Sequence, residues 1–109
     1  MKAELRDFAI REIGCLAHRI LGHDGWPCEK HHLLTTGLHG NGKRRGEKAT
    51  VGLCPYHHRG EAAVGTITAR MMRFKYGPSY YDDAAAFRDA FGSDDELLRL
   101  QNELIAAWM

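Results

Sequence analysis

Leu53-Cys54-Pro55-Tyr56-His57-His58-Arg59 is the stretch on which the reading of this chain turns. An apolar residue leads into a cysteine, a proline suited to the first turn of a helix, and two adjacent imidazoles. A second imidazole pair stands upstream in Glu29-Lys30-His31-His32, so four of the seven histidines lie in two compact strings. Imidazoles in adjacent pairs, one pair beside a thiol, suit metal binding and proton transfer better than core packing.

Working outward, residues 28–34 read as a short strand and Thr50-Val51-Gly52-Leu53 as a second. Between them, residues 35–48 are rich in glycine and basic side chains and predict an exposed loop. A helix starting at Pro55 carries His57 and His58. Upstream, residues 3–13 place Leu5, Phe8, Ile10 and Ile13 close to helical spacing, and Gly14 weakens that helix. Leu16, Ile20 and Leu21 either continue it or form a turn, and residues 22–27 form a loop. Downstream, Thr66 to Tyr76 predicts a helix with Ile67, Met71 and Phe74 on one face. Residues 82–91 form another, capped by Asp82 or Asp83. Ser93 and Glu96 form a capping box that opens a last helix through about Trp108. The expected fold class is α+β: one domain over residues 1–109, with a zinc-stabilised strand-strand-helix core over about 28–65. Helices flank this core on both sides, with a helical tail over about 66–109.

The chain has 109 residues, 44% hydrophobic and 27% charged, which excludes wholesale disorder. A net charge of +1 gives no global case for nucleic acid. Yet Lys43, Arg44, Arg45 and Lys48 crowd one loop and Arg59 follows the second imidazole pair, which makes them candidate phosphate contacts. The three cysteines, Cys15, Cys28 and Cys54, cannot all pair with one another. With no signal peptide and no long apolar run, the expectation is a soluble protein of a reducing cytoplasm, without a membrane span.

Cys15-x-x-His18 and Cys54-x-x-His57 are two ligand pairs at the short spacing that gives two corners of a tetrahedron each. Together they make a closed set for a structural zinc, with Cys28 the competitor for the place of His18. Neighbouring residues on a helix point about 100° apart, so His58 is free to serve a second ion when His57 holds zinc. His31 and His32 also diverge along a strand. One can hold a divalent ion while the other activates water.

The strings Glu29-Lys30-His31-His32 and Leu53-Cys54-Pro55-Tyr56-His57-His58-Arg59 resemble the ββα-metal core of HNH (His-Asn-His) endonucleases. They are most similar to phage recombination enhancement function (Ref) nucleases, whose closing helices Ala86-Phe87, Phe91-Gly92 and Glu96-Leu97-Leu98 also resemble. The similarity covers roughly residues 12–100. It implies His31 and His58 as ligands of a catalytic divalent ion, Mg²⁺ or Mn²⁺, with Zn²⁺ the alternative, and His32 as general base. It implies Cys15, His18, Cys54 and His57 as the structural zinc set, His18 replacing the family's usual second cysteine. It further implies DNA as substrate, a recombinase filament as partner, and a phage or prophage origin. One departure stands out. The asparagine that orients the base would fall near Ala49 or Thr50, and neither is asparagine. His39 and Asn41, in the loop, are the nearest replacements. The competing expectations are a zinc-stabilised nucleic-acid-binding module without catalysis and, more weakly, a phage structural or packaging accessory.

Overall fold

The computed structural model describes residues 1–33, 45–61 and 68–109. At its centre, β1 (Glu29–His32) and β2 (Thr50–Leu53) pair antiparallel, with Glu29 opposite Leu53, His31 opposite Val51 and His32 opposite Thr50. Helix α3 (Pro55–Arg59) follows β2 directly. Pro55 occupies the first turn as expected, and Gly60 ends the helix in the left-handed region at φ 73°. Upstream lie α1 (Ala3–Ile13) and α2 (Leu16–Ile20); downstream lie α4 (Ala69–Tyr76), α5 (Ala84–Phe91) and α6 (Asp94–Trp108).

Every residue of β2 is buried, because helices cover it from several sides. Leu16, Leu33, Val51, Leu53, Phe87 and Leu97 form the main core, all 2% exposed or less. Ala9, Ile10, Ile13 and Ile105 make a smaller apolar cluster where α1 meets α6. Gly52 lets this packing close. A Cβ there would sit 2.8 Å from Cys28 Sγ and 2.9 Å from Ile10 Cγ2, shorter than any ordinary contact.

The outer edge of β2 is sealed by side chains in place of a third strand. Gln101 of α6 accepts the Gly52 N–H at 2.8 Å. Arg6 of α1 donates through Nη2 to the Thr50 carbonyl at 2.7 Å, through Nε to Thr50 Oγ1 at 3.1 Å, and through Nη1 to Asn102 Oδ1 at 2.8 Å.

Several expected elements appear with their signals intact. Helix α1 stops before Gly14, whose φ of 93° favours glycine, and α2 starts afresh behind Cys15. Asp83, the second of the two cap candidates, accepts from Ala86 N, while Asp82 turns to Ser79. The capping box is reciprocal: Ser93 Oγ accepts from Glu96 N and Glu96 Oε1 accepts from Ser93 N, each at 3.1 Å.

Two expected faces are corrected. On α1, Ile10 and Ile13 are buried but Leu5 and Phe8 are 41% and 55% exposed. The inward places go to Ala9 and Arg6, and Phe8 instead pairs with Trp108 at a ring separation of 5.9 Å on the surface. On α4, Met71 and Phe74 are exposed, and Met72 is the buried residue. That helix docks through Met72 and Tyr76, one turn apart, because the Tyr76 carbonyl is held by His57. The first strand is shorter than expected, four residues from Glu29. Leu34, Lys43, Arg44, His39, Asn41, Thr66 and Ile67 lie outside the described residues.

Candidate functional site

The end of β2 and the start of α3 deliver Cys54 and His57 one turn apart, and the break at Gly14 delivers Cys15 and His18 opposite them. Cys15 is fixed by its N–H, which donates to the Trp26 carbonyl at 2.8 Å. Cys54 caps α3, its Sγ accepting from His57 N at 3.4 Å. All four side chains are buried, and their ligand atoms lie within 4.8 Å of one another. Cys54 Sγ stands 3.3 Å from His57 Nδ1 and 3.5 Å from His18 Nδ1, and Cys15 Sγ stands 3.8 Å from His57 Nδ1. A tetrahedral zinc with its usual bond lengths separates its donors by about 3.3–3.8 Å, so three of these edges already have the required length.

The imidazoles are prepared for the same task. His57 Nε2 donates to the Tyr76 carbonyl at 2.9 Å, which leaves the Nδ1 lone pair facing the thiols. His18 lies flat on Trp26, ring centroids 3.9 Å apart and planes within 5°. Burial raises the Cys15 thiol, but hydrogen bonds from Cys54, His18 and His57 outweigh it and draw it down towards thiolate. Cys54 moves the opposite way, through its hydrogen bond with Cys15 and its own burial. Two buried thiols beside two imidazoles, one thiol drawn towards thiolate, make a donor set from which a zinc ion can displace protons. The chain thus holds a buried two-cysteine, two-histidine cluster compatible with structural zinc. Cys28 is not in it: its Sγ points to the Ile10 carbonyl at 3.3 Å, and burial lifts its thiol to about 12.

The other imidazoles divide according to the alternation of β1. Glu29 and His31 face α3, and Lys30 and His32 face the other way. His31 meets His58 ring to ring at 4.8 Å, and Tyr80 lies against it at 4.6 Å. Burial, with His58, His32 and Arg88 nearby, holds His31 down to about 3, so it is neutral at physiological pH. Its Nε2 is buried and has no hydrogen-bond partner among the described residues. His58 Nδ1 donates to Glu29 Oε1 at 2.7 Å, which leaves Nε2 as the ring nitrogen not held by Glu29. Arg59 also grips Glu29, at 2.6 and 3.1 Å, and chiefly through this contact the Glu29 carboxyl stays below the usual range.

The structure therefore brings His31 and His58 together and does not bring His32 to them. His32 Nε2 stands 3.4 Å from Glu47 Oε1, and Lys30 reaches the same carboxylate at 3.1 Å. Thr50 lies directly across the ladder from His32, but its hydroxyl is taken by Arg6 and by the Glu47 carbonyl at 3.3 Å. It does not orient His32, and Ala49 has no polar side chain. Of the basic side chains, Arg45 pairs with Asp95 at 2.6 Å and Arg59 with Glu29 and Glu61, while Lys48 is exposed.

Glu29, Tyr80 and Arg88 are site neighbours to which the sequence reading gave no role. Glu29 was legible in principle, since it shares a strand face with His31 two residues on. Tyr80 and Arg88 were not, because they reach the site from the helical tail. There, Arg88 Nη2 donates to Tyr80 Oη at 2.7 Å and Tyr80 N donates to the His57 carbonyl at 2.8 Å.

No helix among the described residues is long and apolar enough to cross a membrane. No curated protein matches the chain. A family model does: the one described as recombination enhancement, RecA-dependent nuclease matches residues 2–106. With nearly the whole chain covered, and a buried metal-ligand cluster beside a pair of facing imidazoles, this protein belongs to the family of RecA-dependent recombination enhancement nucleases.

Proposed function

We propose that the chain is a metal-dependent DNA endonuclease of the HNH type, with the zinc set Cys15, His18, Cys54 and His57 holding together a core that presents His31 and His58 to a catalytic divalent ion. The observation that carries this reading is the His31–His58 pair, 4.8 Å apart, one imidazole neutral by burial and the other fixed by Glu29. The orphaned His31 Nε2 fits such an ion, because a buried nitrogen without a partner is costly unless something binds it. When bound, the ion supplies positive charge against the developing charge on the phosphate and the leaving oxygen.

The chain's own residues do the rest. Glu29 fixes the tautomer of His58 and holds Arg59 beside it. On the resemblance of its string alone, His32 is the proposed base, although its ring lies on the other strand face from His31 and His58. It accepts the proton of a water that attacks the scissile phosphorus, and the bond to the leaving 3′ oxygen breaks. Glu47 is placed to hold the ring. Lys43, Arg44, Arg45, Lys48 and Arg59 are the proposed backbone contacts. The family's description supports a RecA filament as partner, and a phage or prophage setting is proposed on the resemblance of the sequence strings.

Cleavage of plasmid and single-stranded DNA with Mg²⁺ or Mn²⁺, with and without a RecA filament, tests the reading. His31→Ala, His58→Ala and His32→Ala are each expected to lose about 100-fold or more in rate while retaining zinc. Wild-type protein inert in every condition overturns it. A second reading, a zinc-stabilised binding module without catalysis, is favoured by one observation: the Thr50 hydroxyl is consumed by Arg6, so the asparagine role is unfilled at that position. Full cleavage by the three variants would also defeat the nuclease centre named here.

A further inference from the structure

We propose that the outer face of α4 binds single-stranded DNA, a nucleobase stacking on Phe74 and the adjoining phosphates resting on Arg70 and Lys75. The choice of ligand rests on the nuclease reading above; the surface itself is read from the structure.

Helix α4, Ala-Arg-Met-Met-Arg-Phe-Lys-Tyr, carries three cations and no acidic residue. It packs inward through Met72, 3% exposed, and through half-buried Tyr76. At about 100° per residue, Phe74 falls almost opposite that buried face, with Arg70 and Met71 on either side of it. Phe74 is 94% exposed and Met71 54%, so neither contributes to the core. Arg70, Met71, Phe74, Lys75 and Tyr76 together line a depression of about 510 Å³. An aromatic face interleaved with cations matches the pattern by which unpaired bases and their phosphates are held.

A protein partner would meet the same face with an acidic and apolar surface. DNA is the better match, since the helix opposes its cations to a uniform polyanion and the chain belongs to a nuclease family. The placement also suits a substrate contact. The Tyr76 carbonyl, two residues from Phe74, accepts from His57, and His58 follows on the same short helix. A strand held on α4 is thereby anchored to the element that presents His58.

The test is fluorescence anisotropy with labelled oligo-dT of about 20 nucleotides, a length that covers several such contacts. Zinc-loaded full-length protein is used, with EDTA-free buffer and no Mg²⁺. Phe74→Ala is expected to weaken binding about 5- to 100-fold, and Phe74→Trp to restore it, because stacking needs only a ring. Arg70→Ala with Lys75→Ala is expected to flatten the salt dependence. Binding by Phe74→Ala within about twofold of wild type overturns the proposal, as does a loss confined to RecA-filament binding, which would mark a protein-docking face. Because Phe74 is exposed, the variant keeps its fold, checked by circular dichroism and zinc content. Phe74-dependent binding in a protein that cleaves no DNA would sink the nuclease reading and leave this one standing.

Discussion

His57 and His58 are consecutive residues whose imidazoles face different neighbours, the Cys54 thiol for one and His31 for the other. His57 donates from Nε2 to the Tyr76 carbonyl at 2.9 Å and turns Nδ1 to the thiols, whereas His58 donates from Nδ1 to Glu29 at 2.7 Å and turns Nε2 away. Opposite nitrogens are engaged in the two rings, so one helical turn aims the free nitrogens in different directions.

Zinc is expected at one per chain by elemental analysis of protein purified without chelator. Cys54→Ser should lose it and lower the melting temperature by at least about 10 °C, since zinc sites in small domains carry folding energy directly. His58→Ala should retain the zinc, because its ring lies outside the four-donor cluster.

Glu29→Gln is expected to slow DNA cleavage about 10- to 100-fold with zinc content unchanged. The amide keeps the shape but removes the charge that fixes His58 and Arg59. A shift in the divalent-ion concentration needed for half-maximal rate would separate this positioning role from general damage. Wild-type metal dependence and rate together would refute it.

His31 gives stability a pH dependence of defined sign. Its native pKa is held down to about 3, chiefly by burial and further by its neighbours His58, His32 and Arg88, while the unfolded imidazole titrates near about 6.5. Below that value the unfolded chain binds a proton that the native chain does not. The contribution is complete above about pH 6.5 and is lost as pH falls towards 3, by at most about 1.4 kcal/mol per unit. Urea midpoints of wild type and His31→Gln, measured from pH 7 to 4.5, should show the steeper acid loss in wild type. Parallel curves would contradict it.

Gln101→Leu should destabilise the chain by about 1–3 kcal/mol in urea unfolding, because the Gly52 N–H loses its acceptor in a dry site. A neutral result would mean that another acceptor replaces the amide.

The grouping of Cys15, His18, Cys54 and His57 was legible in the sequence because zinc chemistry favours short local spacings, and Cys15-x-x-His18 and Cys54-x-x-His57 show them openly. Capping signals at Asp83 and Ser93 were equally readable, since they depend on neighbours three residues away. The inward face of α4 was not. Ile67, Met71 and Phe74 have helical spacing, yet a hydrogen bond from His57, nineteen residues before Tyr76, decides which side packs. Burial of Arg6 was hidden for the same reason, because its partners Thr50 and Asn102 are 44 and 96 residues away. His32 shows a further limit: adjacent residues on a strand face opposite ways, so a paired motif does not ensure a shared site.

The side chains of Arg6 and Gln101 along β2 have a consequence for solubility. A two-stranded ribbon with a bare flank is a template for recruiting strands from other molecules. Here the first and last helices occupy that flank with a guanidinium and an amide, so the two ends of the chain act as a guard against edge-to-edge association. Trimming either helix would expose adhesive backbone beside the buried two-cysteine, two-histidine cluster.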